Sequence, residues 1–196
     1  ARIAELILEP RIEIRDADPP AGALHALFGR LFGRAGIAAA LALGIAGTAS
    51  LALVLRSASP EDFGLGGAVV AFLGVVGAGL GHEAAHAIAT KAVGRRVGRA
   101  GIGLVWFTPV IYVDTSDAWL VDRGRRVLVN AAGPLFNFAL AGTCGILAVA
   151  AGGRLQDLLI WLAVVNLVSV LVNLSPFLEF DGYYVLCDAF DLPNLG

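Results

Sequence analysis

Charge is scarce in this chain: only 15% of its 196 residues are Asp, Glu, Lys or Arg, and the formal net charge is -2. The 14 basic residues form no block that would track a phosphate backbone, which sets nucleic acid aside as a partner. Cysteine is nearly absent. Cys144 and Cys187 stand far apart and make neither a CxxC pair nor a disulfide framework, so both are expected to be free thiols. Histidine occurs 3 times, too few for the ligand set of a histidine-rich di-iron oxygenase. The opening stretch "ARIAELILEPRIEIRDADPP" lacks the basic start and short apolar core of a secretory signal, so no cleavable targeting segment is expected.

Apolar residues fill the space that charge leaves. They make up 58% of the chain, and the mean hydropathy of +0.79 points to lipid as the solvent. A membrane-spanning helix needs about 20 mostly apolar residues, and four stretches qualify: 35–55, 67–90, 127–151 and 158–174. Before them, "GALHALFGRLFGR" carries Leu24, Leu27, Phe28, Leu31 and Phe32 at helical spacing, bordered by Arg30 and Arg34, as a helix lying on the membrane surface would. Between the second and third stretches, "GIGLVWFTPVIYVDTSDAW" mixes β-branched and aromatic residues with turn formers and reads as short extended segments. Trp106, Tyr112 and Trp119 there suit interfacial anchors. The expected fold is an all-α integral membrane protein of about four spanning helices, with an N-terminal cytoplasmic and interfacial segment over 1–34 and a membrane-embedded core over 35–196.

Orientation follows from the basic residues. Arg2, Arg11, Arg15, Arg30 and Arg34 precede the first helix, and Lys91, Arg95, Arg96, Arg99, Arg123, Arg125 and Arg126 join the second to the third. The positive-inside bias places both regions in the cytoplasm, so the second and fourth helices run inward. A bacterial cytoplasmic membrane is the expected location.

"LGHEAAHAIA", residues 80–89, sets ionisable groups near the inner end of the second helix. His82 and His86 are one turn apart and share a face, with Glu83 beside them, which is the HExxH zinc arrangement. They lie within roughly 15 Å of the cytoplasmic end of that helix at 1.5 Å per residue. A catalytic zinc takes three protein ligands and leaves a fourth position for water, which a neighbouring carboxylate deprotonates; Glu83 fits that role. His25, the remaining histidine, reads as an interfacial residue. Carboxylates are better candidates for the third ligand: "NLSPFLEFDGYY" follows the fourth helix, Pro176 should end that helix, and Glu179 and Asp181 arrive at the depth of the histidines. Both point to one side of an extended segment, and composition alone does not choose between them.

These residues resemble the site-2 protease class of intramembrane zinc metalloproteases, over the chain from about Gly67 to Gly196. The resemblance rests on HExxH in one spanning helix and on Asn173, Pro176, Asp181 and Gly182 at a later helix end. It implies zinc held by His82, His86 and Asp181, Glu83 as general base, and Asn173 near the substrate or the developing oxyanion. "IYVDTSDAWL", "RRVLVNAAGP" and "FDGYYVLCD" are similar to the branch described as peptide zinc metalloproteases. Two departures stand out. Glu179 occupies a position that is often basic in that branch, and relatives continue into further helices beyond "DLPNLG", which implies a fragment or a shortened member. No PDZ-like or nucleotide-sensing module is seen.

Other residues have structural readings beside functional ones. Pro134 cannot donate to the Asn130 carbonyl and leaves it free for another partner, or Gly133 and Pro134 simply permit close helix packing. Asn130 with Asn137, and Asn166 with Asn173, share helix faces and are expected to hydrogen-bond between helices. Gly77 and Gly81 have the small-xxx-small spacing that lets another helix approach. Asp114 and Asp117 read as solvated turn carboxylates, and Cys144 lies too far toward the opposite membrane face to be a ligand. An edge strand near Val110 and Val113 would offer a pairing partner for an unwound substrate.

The leading function expected is hydrolysis of a peptide bond in or near a membrane-spanning segment of a protein or peptide substrate. The alternative is a non-proteolytic zinc-binding membrane protein that acts as an accessory in peptide maturation or export. A metal transporter would spread its ionisable residues across the bilayer, whereas here they gather near one face.

Overall fold

The computed structural model describes residues 8–56, 64–105 and 108–190. In chain order these form β1 (Leu8–Ile14), α1 (Asp18–Phe28), a 3-10 turn (Gly29–Phe32), α2 (Arg34–Val54), α3 (Gly64–Ala92), β2 (Ala100–Val105), β3 (Thr108–Val113), a second 3-10 turn (Ser116–Leu120), α4 (Arg123–Ala150), α5 (Gly153–Asn173) and α6 (Asp181–Phe190). Trp106 and Arg2 lie outside the described residues.

The chain is mostly helical, and α2, α3, α4 and α5 are each long and apolar enough to cross a membrane. The shortest, at 21 residues, span about 31 Å at 1.5 Å per residue, close to the hydrocarbon thickness of about 30 Å. α4 is the central helix: 50% of its apolar window is buried, and α2, α3, α5 and α6 all pack on it. The others keep large apolar side chains on their outer faces, among them Ile45, Phe72 and Leu171, a surface suited to lipid and not to water.

Side-chain neighbours give the helix directions. Gly81 and Gly133 of α3 and α4 lie against Phe136 and the His82 and His86 rings, so these helices are antiparallel. Gly74 meets Leu162, and His82 meets Asp181 beyond the end of α5, so α3 and α5 run the same way. Their C-terminal ends therefore share one face of the bundle. Between α2 and α4 the approach is backbone to backbone: a Cβ on Gly47, Gly142 or Gly145 would overlap main-chain atoms of the partner helix.

All four helices start earlier than the apolar windows suggest, α4 and α5 by the most. α4 begins at Arg123 because Asp122 caps it, its Oδ1 accepting from the Arg125 N–H at 3.2 Å. α5 begins at Gly153, whose φ of +54° suits glycine after the sharp reversal from α4. Its first turns hold Arg154, Gln156 and Asp157, which a hydropathy window excludes although they are helical.

The extended segments form a three-stranded antiparallel sheet in the order β1-β2-β3. Ala100 to Val105 of β2 pair with Val113 to Thr108 of β3. The third strand comes from the N-terminal segment, where Ile12, Glu13 and Ile14 pair with Ile102, Gly101 and Ala100. α1 starts at Asp18, four residues before the stretch read as helical. Ala17 and Ala21 are buried with Ala87 and Val97, while Leu27, Phe28 and Leu31 remain exposed. Lys91 Nζ donates to both Asp18 carboxylate oxygens at 2.9 and 3.0 Å, and the Val97 N–H donates to Oδ1 at 2.8 Å, tying α1 to the end of α3.

Candidate metal centre

His82 and His86 are buried one turn apart on α3. Each imidazole is oriented from behind by α4. The Val129 carbonyl lies 2.8 Å from His86 Nδ1; a carbonyl only accepts, so Nδ1 carries a proton and donates there, and Nε2 is the nitrogen left to face Asp181. His82 Nδ1 lies 2.9 Å from Asn137 Oδ1, and Asn137 Nδ2 donates onward to Ser169 Oγ on α5 at 3.0 Å. His82 Nδ1 is then the donor, and its Nε2 likewise faces Asp181.

The two Nε2 atoms stand 3.2 Å apart. Asp181, the first residue of α6, puts Oδ2 at 3.1 Å from His82 Nε2 and Oδ1 at 3.4 Å from His86 Nε2. Two imidazole nitrogens and a carboxylate this close call for a shared cation, either a proton on Nε2 or a metal ion between them. Ligand atoms held about 2.0–2.1 Å from one tetrahedral ion stand about 3.3 Å apart, which is the spacing seen. This group of His82, His86 and Asp181 could hold a metal ion.

α4 leaves room for one. At Gly133 a Cβ would overlap the Nε2 atoms of both histidines, so only glycine keeps this side of the cluster open. Gly182 does similar work beside Asp181: a Cβ there would overlap the main chain of Leu174, where α5 ends and the chain turns into α6. Glu83 stays outside the cluster. Its carboxylate stands near His82, His86 and Asp181 and interacts with the backbone N–H of Val113, the last residue of β3.

The other sequence candidates fall in different places. Glu179 is exposed in the turn before α6 and does not join the group. Asn173 turns back on its own helix, where Nδ2 donates to the Ser169 carbonyl at 2.9 Å and to Ser169 Oγ at 3.2 Å. Asn166 donates to the Leu162 carbonyl, also within its helix, at 2.8 Å, so of the α5 pair neither amide bridges helices through these bonds. Asn130 uses its side chain to reach α6, where Nδ2 donates to Asp188 Oδ2 at 2.9 Å. Nothing lies within 4 Å of a Cβ built at Gly77; the close approaches along α3 are at Gly74 and Gly81. Asp117 is paired and not merely solvated, accepting from Arg95 Nη2 at 2.8 Å and from the Arg96 N–H at 2.9 Å. Cys144 is buried near Leu51 and Ala163, and it and Cys187 are free thiols. His25 lies on α1, where a Cβ on Gly29 would overlap its ring.

Ser169 was not singled out in the sequence, Arg126 entered it only as a basic residue before the third helix, and Asp188 only as the end of "FDGYYVLCD". A charge or hydroxyl on an apolar helix is the one signal that pointed to them, and their partners come from other helices. No protein-family model, no curated protein and no solved structure matches the chain.

Proposed function

We propose that this chain is an intramembrane zinc metalloendopeptidase of the site-2 protease class, acting on a peptide bond in or beside a membrane-spanning segment of a protein or peptide. The observation that carries the reading is the pair of imidazole Nε2 atoms converging with the Asp181 carboxylate, while Glu83 stands next to the group without joining it. Structural zinc sites are closed by four protein ligands; three ligands with a separate carboxylate suit hydrolysis. Zinc, when bound, would polarise the scissile carbonyl and bring the pKa of its water to about 7.

The residues then divide the work. His82, His86 and Asp181 hold the ion, and Asn137 and Val129 fix the imidazoles so that Nε2 faces it. Glu83 takes a proton from the attacking water and delivers one to the leaving amine. Asn173 reaches the developing oxyanion only by releasing Ser169, since its amide is engaged there.

Access for an extended substrate is supported by β3, which is at an edge of the sheet and packs on α3. The Asp114 N–H donates across to the Arg99 carbonyl at 2.7 Å. Alternation along the strand therefore turns the Val113 and Ile111 N–H groups away from β2, toward Glu83 and the free edge. A substrate strand added there would present its main chain beside the general base.

The test is zinc content and proteolysis measured together, in proteoliposomes carrying a panel of membrane-spanning peptides. The wild type is expected to hold about one zinc per chain, by the count of one such group, and to cleave at least one peptide. Glu83→Gln should keep the zinc and lose cleavage, and Asp181→Ala should lose both. A folded wild type that takes up no zinc would overturn the reading; zinc without any cleavage would favour an accessory in peptide maturation or export.

A further inference from the structure

α6 carries the third candidate ligand at its first residue and a second, deeply buried aspartate two turns later. Asp188 is 4% exposed. Its Oδ1 accepts from Arg126 Nε at 2.6 Å and its Oδ2 from Asn130 Nδ2 at 2.9 Å, so both carboxylate oxygens are held by α4. Arg126 is itself fixed, with Nη1 donating to the Val121 carbonyl at 3.2 Å. Asp181 and Asp188 are seven residues apart and share a face of the helix. At the start of α6, Gly182 sits against the main chain of Leu174.

α6 is thus pinned near its start by α5 and near its end by α4, and the ligand lies at the pinned start. A buried ion pair is weak evidence of stability, because the cost of desolvating both charges offsets their attraction. What it does supply is geometry: two charge-assisted hydrogen bonds from two different residues fix both the rotation of α6 and its height along α4. Rotation by one residue would swing Asp181 about 100° away from the histidines.

Resting on the metal reading of the site, we propose that Asp188 is a positioning residue: through Arg126 and Asn130 it locks α6 so that Asp181 completes the metal site. Asp188 touches neither the metal nor the substrate. It acts through the rigid helix it shares with Asp181.

The experiment uses the full chain in detergent, with Zn2+ affinity from chelator competition, the visible spectrum of the Co2+-loaded protein, and the thermal midpoint. Asp188→Asn is expected to weaken zinc about 10-fold, the low end of the range for direct partners of metal ligands because Asp188 acts one step further away, and to alter the Co2+ spectrum. In that background Asp181→Ala should cost much less than it does in the wild type, because the ligand is already displaced. A residue that only stabilises the fold would lower the midpoint and leave the full cost of Asp181→Ala in place. Wild-type zinc affinity and an unchanged Co2+ spectrum in folded Asp188→Asn would overturn the proposal alone, and absence of metal from the wild type would overturn the site reading and the proposal with it. Should Asp188→Asn fail to fold, Arg126→Gln carries the same comparison, since it loosens the lock and leaves the Asn130 contact.

Discussion

Gly133 of α4 faces His82 of α3 so closely that a single methyl on the glycine would overlap the Nε2 atom of the imidazole. The same methyl would overlap His86 Nε2, so the glycine guards the space between the two nitrogens. Gly133→Ala should raise the helix propensity of α4 while forcing the rings or the helix to shift. Zinc affinity is expected to fall at least about 10-fold in a folded protein, by the sensitivity of metal sites to ligand displacement. Calorimetric titration with Zn2+ checks it; an unchanged affinity would mean that the ion sits away from α4.

The hydrogen bond from His82 to Asn137, and from Asn137 to Ser169, makes a second prediction. Asn137→Ala removes the acceptor that holds the His82 tautomer and should weaken zinc about 10- to 100-fold. Ser169→Ala leaves Asn137 in place and frees one of its amide protons, so a smaller loss is expected. Chelator competition on the two variants gives the order, and a larger effect at Ser169 would show that Asn137 does not orient the ring.

The candidate ligands were legible to very different degrees. His82 and His86 are local: spacing by four on an apolar helix brings them together whatever the rest of the chain does. Asp181 was reachable by depth, from helix count and charge bias, but spacing could not choose it over Glu179, because the choice depends on how the chain turns after Pro176. The structure exposes Glu179 and starts α6 at Asp181. Asn137 was recognised as an interhelical amide, yet its partner His82 is 55 residues away and is set by the register of two helices. β1 was missed for the same reason: "LEPRIEI" reads as mixed polar until Ile12 meets Ile102 across the sheet. Asp188 stood in the sequence only as the end of "FDGYYVLCD", because nothing in its neighbourhood names Arg126 as its partner.

Asp18 offers a pH prediction at the junction of α1 and α3. Hydrogen bonds from Lys91 and from the Val97 N–H hold its carboxyl below the usual aspartate value. A group depressed in the folded state contributes stability above its unfolded value, near 3.9, and loses it as pH falls through the lower folded value. Asp18→Asn should therefore melt below the wild type at neutral pH, with the gap closing only once the pH drops below about 3.9. Thermal melts in one acid-stable detergent across that range decide it. A gap that stays constant into strong acid would assign the effect to the shape of the hydrogen bonds and not to charge.

Val113 is the position at which the edge of β3 and Glu83, the proposed general base, meet. Its N–H faces Glu83 and not β2, by alternation from Asp114, whose N–H is spent on Arg99. Proline at Val113 should thus remove a donor from the edge without costing a ladder bond, whereas proline at Val110, an even number of residues from Asp114 and so facing β2, should disturb the sheet itself. Val113→Pro is expected to keep the zinc, which no atom of β3 holds, and to slow peptide cleavage. Lost orientation of a catalytic carboxylate and lost strand pairing are together consistent with a drop of about 100-fold or more, within the range for general-base catalysis. Zinc content and cleavage rate measured on the same preparation separate the outcomes: full activity with full zinc would mean that the substrate enters elsewhere, and loss of zinc would mean that β3 supports the metal through Glu83.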